Sequence, residues 1–214
     1  MAVSVRRIGR LLLLMTTLLC PASLLAETVI RRAGETREAF AERVKPPRSQ
    51  VVHQVIEAEP WARGQRVVIA FYEQDVPGDP RSTQIAGHLF LPRGANAYDR
   101  ILIHVFGPEG GNPEIASVFF ANADADPERE IVVLCSWPVR HYEVSGTLHG
   151  TFVFDAPKAG SAAPRLTFME ELSGKLDGGC ECARRDDSGR VTMQRAKFKT
   201  AAEVRAGLKK LGFQ

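Results

Sequence analysis

The sequence predicts an α+β fold rich in β: an antiparallel sheet or sandwich with a short N-terminal helix and a C-terminal helix. Three observations carry that expectation. Short runs rich in Val, Ile and Phe recur between Gly- and Pro-bearing breaks from Val51 to Phe154, the pattern of consecutive antiparallel strands. Glu35 to Val44 places Phe40 and Val44 on one helical face and is ended by Pro46-Pro47. Near the other end, Thr200-Ala-Ala-Glu203 is a capping box, in which the threonine oxygen and the glutamate each satisfy an orphan N–H. Val204, Leu208 and Leu211 follow it at helical spacing, and Gly212 stops the helix.

Between these helices the strands are expected at Val51–Ile56, Arg66–Tyr72, Gln84–Leu91 and Arg100–Phe106, with Arg63-Gly64 turning the first pair. Pro77-Gly78-Asp79-Pro80 is a loop signal, and Gly107 to Pro113 is a loop with no helical option. Further strands are expected at Ile115–Phe120, Ile131–Trp137, His141–Ser145 and Thr147–Phe154, with Gly146 as the turn of the last hairpin. Arg165–Leu176 reads as a strand leading into a helical turn, and Gly178-Gly179 opens a cysteine-bearing loop. Arg190–Phe198 reads as a strand behind the turn Asp187-Ser188-Gly189.

The N-terminus has the three-part pattern of a secretory signal peptide: Arg6, Arg7 and Arg10, an apolar run from Leu11 to Leu19, and a small residue at Ala26. Residues 1–26 are therefore expected to be removed on export to the periplasm or medium, leaving residues 27–214 as a single domain. The apolar run is shorter than the roughly 20 residues that span a bilayer, so no transmembrane segment is expected in the mature chain. Three of the 28 Lys and Arg residues lie in this segment, which leaves 25 against 25 Asp and Glu. The basic balance of the whole chain thus belongs to its leader and makes no case for nucleic-acid binding. Ser173 to Gln214 keeps a local excess, ten basic residues against five acidic. That stretch is either a solvated basic face or a patch for an anionic polymer or lipid headgroups.

Three cysteines remain after cleavage: Cys135, Cys180 and Cys182. An oxidising compartment favours one disulfide, expected between Cys135 and either Cys180 or Cys182. The alternatives are a small ring within Cys180-Glu181-Cys182 and a soft-metal site from all three thiolates.

The most informative stretch is acidic. Asn122, Asp124, Asp126 and Glu130 stand at relative positions one, three, five and nine between two apolar runs, which is how a short loop wraps a hard cation. Strand, alternating acidic loop and a strand opening on Glu130-Ile-Val-Val resembles the calcium loops of the FG-GAP and VCBS-type families. The resemblance implies Ca2+ held by the side chains of Asn122, Asp124, Asp126 and Glu130 and by the carbonyl of Glu128. It covers about 20 of 214 residues, Pro127 stands where those families have glycine, and no second copy occurs. The bland reading of the same residues is a turn stabilised by Asp and Asn bonding to nearby backbone.

No Gly-x-Ser-x-Gly elbow, His-Glu-x-x-His, phosphate loop or dinucleotide fingerprint occurs. Two functional readings remain. One is a non-enzymatic secreted or periplasmic binding or protective protein, inhibitor- or immunity-like, for an envelope protein or anionic polymer. In it the loops 107–113 and 121–130 form one end of the domain. The other is a small metal-assisted or acid/base hydrolase using His141 and Glu143, the carboxylates Glu109 and Glu114, or the acidic loop. Export should shorten the precursor by residues 1–26; an intact mass showing Met1 on the exported protein contradicts the leader.

Overall fold

The computed structural model describes residues 27–59, 66–157 and 165–213. The expected leader and the Arg63-Gly64 turn lie outside them. The chain forms two antiparallel sheets and three short helices. The first sheet comprises Glu27–Ile30 (β1), Gln50–Val51 (β2), Ile56–Ala58 (β3), Val67–Val76 (β4), Asp79–Pro92 (β5) and Ala97–Phe106 (β6). Its order is β1-β6-β5-β4-β2, with β3 also on β4. The second comprises Glu114–Ala121 (β7), Glu130–Arg140 (β8), Val144–Asp155 (β9), Thr167–Phe168 (β10), Gly179–Arg185 (β11) and Val191–Gln194 (β12). Its order is β12-β11-β9-β8-β7, with β10 also on β9. The helices are Arg37–Arg43 (α1), Glu170–Lys175 (α2) and Ala201–Lys210 (α3).

Period-two alternation explains how the sheets meet. Val67, Ile69 and Phe71 of β4 share one apolar cluster with Ile131, Val133, Cys135 and Trp137 of β8. The intervening residues face the other way. Val68, Ala70 and Tyr72 pack with Phe40 and Ala41 of α1, while Val132 and Leu134 pack with Leu172 and Leu176 of the α2 region and Val204 and Leu208 of α3. β4 and β8 are thus covered on both faces, and both read as near-continuous apolar runs for that reason. Two polar contacts fix the helices. The Tyr72 hydroxyl donates to the Ala41 carbonyl at 3.0 Å, and both halves of the Thr200/Glu203 capping box are formed at α3.

Several local expectations are corrected. The strand expected over Val51–Ile56 is two short pieces, β2 and β3, on the same edge of β4. Gly146 does not turn a hairpin. It lies inside β9, opposite Cys182, with φ of 150°, and a Cβ there would stand 2.2 Å from the Glu181 carbonyl oxygen. Its lack of a side chain lets β11 approach, and the turn falls at His141–Glu143 instead. Gly179 opens strand β11, where a loop was expected. The strand expected over Arg190–Phe198 is confined to β12.

The cysteine pairing also differs from expectation. Cys180 is bonded to Cys182, and Cys135 is a buried free thiol. The sheet order accounts for this. β9 lies between β8 and β11, so Cys135 is two strand spacings, about 10 Å, from the other cysteines' strand. That exceeds the roughly 7 Å between Cα atoms that a disulfide can bridge. Burial pushes the Cys135 thiol up to about 12, which keeps it protonated and unreactive. Non-reducing peptide mapping should find the Cys180–Cys182 link, with Cys135 alkylated only after denaturation; a Cys135 disulfide contradicts this arrangement.

Candidate metal centre

The acidic loop connects β7 to β8, and three of its polar side chains are turned toward its own backbone. Asp124 Oδ1 accepts from the Asp126 N–H at 2.9 Å, and Asp126 Oδ1 accepts from the Glu128 N–H at 3.0 Å. Asn122 Nδ2 donates to the Asp126 carbonyl at 3.2 Å. These are successive side-chain-to-backbone turns of the kind Asp and Asn favour. They account for much of the composition without any ion.

Glu130 is different. As the first residue of β8 it is fully buried. Its Oε2 accepts a close hydrogen bond from the Ala123 N–H, while Oε1 has no partner among the described residues. Burial raises its carboxyl to about 7, against the opposing hydrogen bond from Ala123; Asp124 and Asp126 push it further up.

Asp155 completes the cluster. Ile131 pairs with Phe154, so the next step of that antiparallel register sets Glu130 opposite Asp155, and opposed residues point to one face. That face also carries Val132 and Val153, which pack with the helices. Ligand oxygens of Asp124, Glu130 and Asp155 all lie within 4.8 Å of one another. Of the five residues expected to bind calcium, Asp124 and Glu130 belong to this carboxylate group, and the Asp126 carboxylate does not. Asp155 was missed because it stands on another strand. The signal that could have found it is an acid ending the run Thr151-Phe-Val-Phe154, one residue past the apolar alternation.

A cleft of about 510 Å3 opens beside the cluster, with Asp124 and Asp155 in its wall and Phe168, Leu172, Leu211 and Phe213 among its apolar lining. The other acid/base candidates lie elsewhere. His141 and Glu143 are in the β8–β9 turn, while Glu130 opens β8; ten strand residues between those ends span on the order of 30 Å. Glu109 and Glu114 are also at the His141 end, since Glu114 pairs with Ser136 and a Cβ on Gly111 would stand 1.9 Å from the Pro138 carbonyl oxygen. The loops 107–113 and 121–130 therefore flank opposite ends of β7, a correction to their expected common surface. His104 packs against the rings of Phe106 and Phe152, with centroids at 5.0 and 5.3 Å.

The C-terminal basic excess is partly neutralised. Arg195 and Lys199 pair with Glu181 at 2.6 and 3.1 Å, whose carboxyl falls to about 2, chiefly through those two hydrogen bonds. Arg205 lies over the Phe119 ring at 4.4 Å and donates to the Phe120 carbonyl. No helix among the described residues is long and apolar enough to cross a membrane. Comparison with protein-family models, curated proteins and solved structures returns no match.

A raised carboxyl keeps its proton longer in the folded than in the unfolded chain, so its contribution to stability is present at low pH and is lost as pH rises. For Glu130 the window runs from 4.5 to about 7. Burial lowers His88 to about 4 and also lowers His149; these groups act in the opposite sense over much of that range. The diagnostic quantity is therefore the melting temperature of wild type minus that of Glu130→Gln, both with divalent cations chelated. It should fall by several degrees across the window, and a flat difference contradicts the assigned burial.

Proposed function

We propose that the chain is an exported, non-enzymatic binding protein of protective type, inhibitor- or immunity-like, whose docking face is the cleft beside the acidic loop. We read its two sheets as a sandwich flanked by α1 near its beginning and α3 at its end, which the cluster shared by β4 and β8 supports.

The observation that carries the docking proposal is the lining of the cleft. Four acidic residues, Asp124, Asp155, Glu170 and Glu171, outnumber Lys175 in that lining, which Phe168, Leu211 and Phe213 share. Phe168 and Leu211 are 41% and 43% exposed, large apolar groups beside acids, the mixture that receives a basic side chain carried on an apolar segment. An envelope protein presenting such a segment suits this chemistry better than an anionic polymer, which the carboxylates would repel. The hydrolase reading is less well supported, because His141 and Glu143 lie at the far end of β8 from the acidic loop.

The test is affinity capture from an envelope extract, run in parallel with wild type and a Phe168→Ala/Leu211→Ala variant. Both positions are substantially exposed, so the fold should persist. The cleft proposal expects a partner held by wild type, released by moderate salt and captured at least tenfold less by the variant. Equal capture by both proteins contradicts it.

A further inference from the structure

Like charges opposed across a strand pair are destabilising, and a buried ionised carboxylate is costly unless something balances it. Glu130, the buried one, faces the half-buried Asp155 across the β8–β9 pair, and Asp124 reaches the same point from the loop. Glu130 adds an independent observation: it is wholly buried, and one of its oxygens has no hydrogen-bond partner among the described residues. A hydrogen-bond donor or a cation at that oxygen would satisfy it.

We propose that Asp124, Glu130 and Asp155 form a site for a hard divalent cation, which staples the β7–β8 loop to the end of β9. The ligand chemistry selects the class, since three carboxylates suit calcium, magnesium or manganese and not the softer metals that prefer nitrogen or sulfur. Oxygens lying within 4.8 Å of one another are close enough to share one ion, and calcium, with its flexible coordination, is the probe that asks least of their exact placement.

The site differs from the loop-only arrangement suggested by the sequence. It is built on Asp124 and Glu130 of the loop and takes its third carboxylate, Asp155, from a different strand. Its role is to join elements: the Ala123 N–H bond to Glu130 already draws the loop over the strand, and a cation would extend the tie to β9. With all three acids ionised, a divalent ion leaves one negative charge on the cluster, so the adjoining cleft stays acidic.

The experiment is calorimetric titration of the chelator-stripped protein with calcium chloride, paired with melting curves. Wild type should bind one ion, and a hundredfold excess over Kd should raise the melting temperature by roughly 5–10 °C. Asp155→Asn and Glu130→Gln should each weaken binding at least tenfold, while Asn122→Ala should leave it within threefold. Glu130→Gln keeps an amide oxygen for the Ala123 N–H, so the ion-free variant should melt no lower than wild type at neutral pH. Absence of heat and of any shift in wild type at millimolar calcium overturns the proposal. So does full-strength binding by Asp155→Asn, or loss of binding on Asn122→Ala alone. The wild-type titration decides the matter even if a variant fails to fold.

Discussion

A strand buried on both faces leaves no room for an unbalanced carboxylate, and β8 begins with one. From Glu130 to Trp137 every residue of this strand is buried. Its odd-numbered side chains join the core between the sheets, and Val132 and Leu134 meet the helices. A one-residue slip would exchange these two sets and disrupt both clusters. The register of β8 therefore holds Glu130 at the margin of the helix-covered face, beside Ala123 and in line with Asp155. The loop before it has to close over that carboxylate, and the cleft takes its acidic wall from the same group of residues.

The same constraint separates the two ends of the molecule. Long strands with tight connections carry the β7–β8 loop to one end and the His141 turn to the other. Trp137 anchors the second end, donating from Nε1 to the Gly107 carbonyl at 2.8 Å, and the loop around Gly111 lies so close to Pro138 that a side chain could not fit. That end is closed by packing against backbone. The acidic end combines carboxylates, exposed apolar groups and a cleft, and recognition is more readily built there.

Local chemistry was legible in the sequence where one short segment contains the whole interaction. The capping box of α3 lies within four consecutive residues, and the Asx turns of the acidic loop need only their own backbone. Alternation likewise revealed the apolar strands, although β4 and β8 hide which face is which because both faces are covered. Interactions across strands were not legible. Asp155 joins Glu130 through the β8–β9 register, and no spacing along the chain encodes that meeting. The spacing of Cys135 from the C-terminal cysteines says nothing of β9, which lies between their strands in the sheet. Gly146 read as a turn because glycine commonly makes one, whereas it is needed here for the close passage of β11. In each case the missing information was which strands are neighbours.

Carbon-13 NMR of the glutamate carboxyls can follow the ionisation of Glu130 directly, with Glu130→Gln assigning the resonance. Without divalent cations, Glu130 should titrate with a midpoint near 7; with calcium it should remain ionised to below the ordinary carboxylate range. A midpoint in the ordinary range that calcium leaves unchanged would mean that Glu130 is solvated and unliganded, and would contradict both the burial and the cation site.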